Sequence, residues 1–145
     1  LKHAIKTDIF LFKPNLSELA SLYGEETLSN KMLEESAKDF IATHNCEIMA
    51  VSMGRRGALL VTSNVLEYIL APLVHEKNTI GAGDSMLAGM LLKAKVGHTP
   101  KTMIQYGVAA GAAATLRQGA QLCQIEDVER IYTWMISKDS IEKNV

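Results

Sequence analysis

The stretch whose residue types could do chemistry is Asn78-Thr79-Ile80-Gly81-Ala82-Gly83-Asp84-Ser85. Three small residues precede an acid, and an apolar pattern at helical spacing (Met86, Leu87, Met90, Leu91) begins directly after it. Small side chains let another molecule approach the backbone. The free N–H groups of a helix's first turn, at the positive end of its dipole, suit an anion such as phosphate. Asp84 places a carboxylate beside that anion. An aspartate at a helix start is also an ordinary dipole-complementing residue, but a simple cap does not need three small residues before it. The chemistry suggested is phosphoryl transfer, in which Asp84 orients an attacking hydroxyl and accepts its proton.

A second group lies earlier. Asn15 and Glu18 are three residues apart, so one helical turn brings their side chains to one spot. They read equally as an Asn N-cap with Glu at the third helical position. Amide and carboxylate oxygens are also suitable partners for Mg²⁺ or its bound waters, and Lys13 could meet phosphate as a point charge. Ser52, Gly54 and Gly57 could let a backbone turn approach a nucleotide, though a plain turn explains them too. Arg55 and Arg56 read as solvated turn residues. No G-x-x-x-x-G-K-[ST] occurs, and Gly81-x-Gly83 lacks a third glycine because Met86 stands there, so a nucleotide site must be of another kind.

These residues need elements to hold them. Asp8–Phe12 reads as a buried strand halted by Pro14, followed by a short helix ending at Gly24 and a longer one over Ser29–His44. Glu47–Met53 reads as a second strand, and Ala58–Thr62 with Leu66–Leu70 as a hairpin across Ser63-Asn64. A helix is expected from Gly83 to Lys95, closed by Gly97, and another from Pro100 behind a Thr99 cap. The small-residue centre of the latter, Gly107 to Ala114, implies close packing on a neighbour. The last helix is expected over Ile125–Ile136, with a loose polar tail after Ser137. Strands alternating with helices predict an α/β fold with a mainly parallel sheet, whose ligands bind at strand C-termini.

Composition bounds the partners. The chain has 145 residues with 48% hydrophobic and 21% charged side chains, ordinary for one globular domain. A formal charge of −1 gives no electrostatic case for nucleic acid or an anionic membrane, and no apolar run approaches the roughly 20 residues that span a bilayer. Cys46 and Cys123 form no metal or redox motif and read as buried thiols in a cytoplasmic setting. The four histidines are scattered, and the methionines and Trp134 read as core filling. The start, Leu1-Lys2-His3, carries neither a signal-peptide pattern nor an initiating Met, so the chain is expected to begin inside a longer parent.

Taken together, the sequence resembles the PfkB (ribokinase-like) family of carbohydrate kinases. Asn78-Thr-Ile-Gly-Ala-Gly-Asp-Ser-Met-Leu-Ala-Gly89 matches that family's C-terminal signature throughout, Asn15-Leu-Ser-Glu18 its N-x-x-E motif, and Ser52–Gly57 its nucleotide-side turn. Tyr106–Gly111, Ala114–Gly119 and Leu122-Cys123 look most like the branch that phosphorylates fructose 6-phosphate. Fructose 1-phosphate and tagatose 6-phosphate kinases share much of this, and nucleoside kinases share the fold.

The resemblance implies a three-layer α/β/α fold, residues 1–145 forming the C-terminal nucleotide-binding portion of an ATP-dependent sugar-phosphate kinase. It makes Asp84 the catalytic base and Gly81, Ala82 and Gly83 the anion hole. Asn15 and Glu18 would organise Mg²⁺ through water. Lys13, Asn15, Ser52, Gly54, Gly57, Val108 and Ala112 would border ATP. A monovalent cation, potassium, would sit among Asn78, Ile80, Ala114, Arg117, Gly119 and Gln121, mostly on backbone carbonyls; many members carry Asp where Asn78 stands. The family's sugar contacts and its dimer-forming lid lie N-terminal to anything present, so the segment alone is expected to be inactive and the parent a homodimer. The reading from another class is a non-catalytic nucleotide-binding remnant.

Overall fold

The computed structural model describes residues 8–116 and 123–142. The chain divides into two compact units, Leu1–Tyr68 and Ile69–Val145.

The first unit runs β1 (Ile9–Phe12), α1 (Leu16–Leu22), α2 (Asn30–Thr43), β2 (Cys46–Ser52), a 3₁₀ turn (Gly54–Arg56) and β3 (Ala58–Val61), with β4 (Leu66–Ile69) at its boundary. The sheet order is β1-β2-β3-β4. β1 and β2 are parallel, with Ile9 opposite Cys46 and Leu11 opposite Ile48. β2 and β3 are antiparallel, with Met49 opposite Val61 and Ser52 opposite Ala58. The described sheet is therefore mixed where a mainly parallel one was expected, and connection length is the reason. Two helices bridge β1 to β2, long enough for a parallel crossover, whereas the Met53–Gly57 turn can only reverse the chain.

Helices α1 and α2 are amphipathic and share one apolar cluster with the sheet: Leu19, Leu33, Ala37, Phe40, Met49, Val51, Leu59 and Val61 are all buried in it. Phe12 stacks on Phe40 at 4.6 Å between ring centres, which ties β1 to α2. Leu33, Ala37, Phe40 and Ile41 form the buried face of α2, with Met32 and Ser36 half-buried at its edge. Both helices start on side-chain caps, Asn15 and Ser29; α1 stops just before Gly24, which sits at φ +76°.

The second unit holds α3 (Ala82–Lys95), α4 (Pro100–Thr115) and α5 (Ile125–Glu142). Thr99 caps α4 by accepting a hydrogen bond from the Thr102 N–H at 3.3 Å. The α3–α4 contact needs its glycines. A methyl group at Gly107 would come within 2.4 Å of Met90 Cγ and 2.8 Å of the Met86 carbonyl oxygen, and one at Gly89 within 2.9 Å of Ala110 Cβ. Helix α5 packs on α4 through buried Val128, Ile131 and Met135.

Three expectations shift here. Helix α3 begins at Ala82, one residue before the expected start. Helix α5 continues past Ser137 to Glu142, because no Gly or Pro interrupts the sequence Lys138 to Glu142. Trp134 is 49% exposed and does not fill the core: it stands one residue off the Val128–Ile131–Met135 stripe. Met49, Met53, Met86, Met90, Met103 and Met135 are buried as expected. No helix among the described residues is long and apolar enough to cross a membrane.

Candidate phosphate and nucleotide site

In the second unit the glycine stretch forms the entrance to α3. Gly81 is its N-cap residue and adopts the left-handed conformation (φ +78°, ψ −2°), which a side chain would strain. No side chain caps this helix, whereas α1, α2 and α4 are closed by Asn15, Ser29 and Thr99. The Ala82 N–H turns back to the Thr79 carbonyl at 3.3 Å, and the Ser85 N–H reaches the Gly81 carbonyl at 2.9 Å. The first turn, with Gly83 and Asp84 in it, thus starts without a side-chain cap. Asp84, the third helical residue, is exposed, and Ser85 beside it is buried. The turn therefore presents N–H donors and one accessible carboxylate together.

The approach to this turn is fixed to α4. The Thr115 carbonyl accepts the N–H groups of Lys77 at 2.7 Å and Asn78 at 3.3 Å. The Asn78 side chain in turn accepts the Ile80 N–H at 3.0 Å, forming a local Asx turn. Asn78, Ile80 and Ala114 of the expected cation set thus belong to one neighbourhood at the end of α4; Arg117, Gly119 and Gln121 lie outside the described residues. Val108 is buried in α4 and Ala112 is half-buried one turn later.

In the first unit the other candidates gather at the C-terminal end of the parallel pair. The Pro14 carbonyl accepts both the Ser52 N–H at 2.9 Å and its hydroxyl at 3.3 Å, and Asn15 bridges Ser52 as a parallel extension of the sheet. Asn15 and Glu18 form a complete capping box: Asn15 Oδ1 accepts the Glu18 N–H, and Glu18 Oε2 accepts the Asn15 N–H, each at 2.8 Å. Both side chains remain exposed, with Lys13 half-buried two residues before. The following turn needs two glycines, at φ +59° for Gly54 and φ +96° for Gly57. Arg56 leans to Asn30 Oδ1 at 3.5 Å on an exposed surface, in keeping with a solvated role.

Among the described residues no cluster of three or more His, Cys, Asp and Glu could cage a metal. The hard oxygen donors at the sheet end are the Asn15–Glu18 pair, a set suited to a metal's bound waters. Cys46 is buried, and burial pushes its thiol up from the ordinary range, which keeps it unreactive.

Sequence reasoning missed Thr115 and Pro14. Both act through backbone carbonyls, which leave no mark in side-chain pattern.

Residues 1–127 match the pfkB family carbohydrate kinase family. The chain belongs to that family. This pfkB-family chain is 37% identical over 128 residues to the ATP-dependent 6-phosphofructokinase isozyme 2 of Escherichia coli, covering 88% of the chain and 41% of that protein. It is 33% identical over 132 residues to the 1-phosphofructokinase of Borreliella burgdorferi, covering 90% of the chain and 42% of that protein. Its structure matches Escherichia coli phosphofructokinase-2, crystallised in complex with potassium, at TM-score 0.85 and 37% identity over 88% of this chain and 41% of the other. The chain thus spans about two-fifths of the length of these relatives, and its α/β architecture is the ribokinase-like fold, seen as a partial domain with an open mixed sheet.

Proposed function

We propose that the protein carrying this segment transfers the γ-phosphoryl group of ATP to a hydroxyl of a sugar phosphate, with fructose 6-phosphate as acceptor and fructose 1,6-bisphosphate as product. The observation that carries the reading is the uncapped start of α3, where Gly81 turns the chain left-handed and Asp84 stands exposed in the first turn. Asp84 accepts the proton of the attacking hydroxyl. As the new O–P bond forms, the bond between the γ-phosphorus and the bridging oxygen breaks and ADP leaves. The amides around Gly81, Ala82 and Gly83 face the charge on the transferring group, which costs no reorganisation during the step.

Lys13, Asn15, Ser52, Gly54, Gly57, Val108 and Ala112 are assigned to the nucleotide. Asn15 and Glu18 would hold Mg²⁺ through water, using the oxygen surface their capping box leaves exposed. When bound, the metal neutralises charge on the β- and γ-phosphates. Potassium is assigned to the carbonyl-rich end of α4 with Asn78 and Ile80, together with Arg117, Gly119 and Gln121. The potassium complex of the Escherichia coli relative supports this assignment. The whole protein is proposed to be a cytoplasmic homodimer through a lid outside this segment, and the segment alone to be inactive.

The test is acceptor turnover by the whole protein with fructose 6-phosphate, fructose 1-phosphate and tagatose 6-phosphate, before and after Asp84→Asn. We expect fructose 6-phosphate to have the highest kcat/KM and the substitution to lower kcat by about 10²–10⁴-fold with the fold intact. Retained turnover in Asp84→Asn would falsify the base assignment. The second acceptor reading is fructose 1-phosphate, favoured by the 33% identity to a 1-phosphofructokinase; a higher kcat/KM for that sugar would select it.

A further inference from the structure

Two contacts from one face of α4 hold the two ends of the anion turn. At its entry, the Thr115 carbonyl accepts the Lys77 and Asn78 N–H groups at 2.7 and 3.3 Å. At its exit, Gly111 lies under the first residue of α3: a methyl group there would stand 3.1 Å from the Ala82 carbonyl oxygen and 3.5 Å from Met86 Cβ. Residues 111 and 115 are one helical turn apart on the same side of α4. Between the two holds lie Thr79, Ile80 and Gly81, and directly after them the amides of Gly83 and the carboxylate of Asp84.

We infer that Gly111 is a positioning residue for phosphoryl transfer: its missing side chain, with the Thr115 carbonyl one turn on, sets the height of the α3 entrance against α4 and so places Asp84. The inference rests on the reading of Asp84 as base. The physical reason is the part of α3 that each glycine faces. Gly107 faces Met90 Cγ at 2.4 Å and the Met86 carbonyl oxygen at 2.8 Å, a closer clash that falls beyond the first turn of α3. Gly111 faces a backbone oxygen in the first turn itself, which can yield only by moving that turn. A 3.1 Å contact is tight enough to require a shift of a few tenths of an ångström.

Gly111→Ala in the whole enzyme separates positioning from packing. Alanine is the better helix former, so its gain in helix propensity opposes the steric cost and the melting temperature should stay close to the parent's. Displacing the reacting groups should still lower kcat about tenfold, with the KM for the sugar phosphate changed by no more than about twofold. Gly107→Ala, whose clash is closer but lies beyond the first turn, should chiefly lower the melting temperature, with a loss of kcat, measured well below melting, clearly smaller than that of Gly111→Ala. Unchanged kcat in Gly111→Ala, or an equal loss of kcat in Gly107→Ala, overturns the inference. Amide exchange in the parent protein gives an answer that does not depend on the variant folding: the Lys77 and Asn78 amides should exchange as slowly as the last turn of α4, and fast exchange there also overturns it. An active Asp84→Asn enzyme would sink the underlying reading, whereas an inactive Asp84→Asn beside a fully active Gly111→Ala sinks this inference alone.

Discussion

Residues at the site carry two jobs that substitution can separate. Glu18 closes the capping box of α1 through Oε2 and is assigned to the waters of Mg²⁺. Glutamine retains a carbonyl oxygen able to accept the Asn15 N–H but loses the charge. Glu18→Gln should therefore change stability by less than about 0.5 kcal/mol, while the Mg²⁺ concentration for half-maximal activity rises about tenfold or more. Asn15→Ala should cost about 1 kcal/mol, because the cap itself is lost. Urea unfolding beside a Mg²⁺ titration reads both. If Glu18→Gln leaves the Mg²⁺ dependence untouched, the glutamate is only a cap.

At the scale of elements, the turn between β2 and β3 sets where the sheet end lies. Met53 N–H donates to the Gly57 carbonyl at 2.8 Å and Gly57 N–H to the Gly54 carbonyl at 3.0 Å, so the reversal is completed within five residues. Gly57 sits at φ +96°, ψ −128°, a region closed to side chains, whereas Gly54 at φ +59° is in the ordinary left-handed well. Gly57→Ala should cost about 1–3 kcal/mol. Gly54→Asn should cost clearly less, since asparagine tolerates the left-handed well. The urea midpoints of the two variants test this ranking; equal midpoints would contradict the strain assigned to Gly57.

For the molecule as a whole, each unit carries a tyrosine whose hydroxyl is tied to a carboxylate. Tyr23 donates to Asp39 Oδ2 and to the Ser36 carbonyl, each at 2.8 Å. Tyr106 is buried and donates to Glu129 Oε1 at 2.7 Å, with Lys93 Nζ 4.0 Å from its ring centre. Burial first, and then the carboxylate partner, push both phenols far above their ordinary value near 10. A raised phenol pKa favours the native state while the unfolded phenol is still protonated. That contribution is complete below about pH 10 and is lost as pH climbs toward the folded values. The urea midpoint should fall above about pH 10, and Tyr23→Phe and Tyr106→Phe should each flatten the fall. A midpoint as steep in the double variant as in the parent would show that other groups set the alkaline limb.

Much of this was legible in the chain. Ser29, Thr99-Pro100, Gly24 and Gly97 mark helix ends by local backbone chemistry, and the strand runs at Ile9–Phe12 and Cys46–Ser52 are apolar enough to be read directly. The signature from Asn78 to Gly89 marked the start of α3 because a left-handed glycine and an uncapped helix start depend on residues adjacent in sequence. The mixed sheet was less legible: a buried apolar strand looks the same whichever way its neighbour runs, and only the length of each connection decides. The continuation of α5 was missed because a polar run without Gly or Pro does not mark where a helix stops, and the exposure of Trp134 because a ring's facing depends on helix register, which its residue type does not state. What the sequence determined by itself is the local chemistry: a turn that offers N–H donors, an acid after it, and a capped amide–carboxylate pair. Only the tertiary structure decided how that turn is held. It lies against the Thr115 carbonyl and the bare Cα of Gly111, a backbone atom and an absent side chain contributed by a helix some thirty residues downstream.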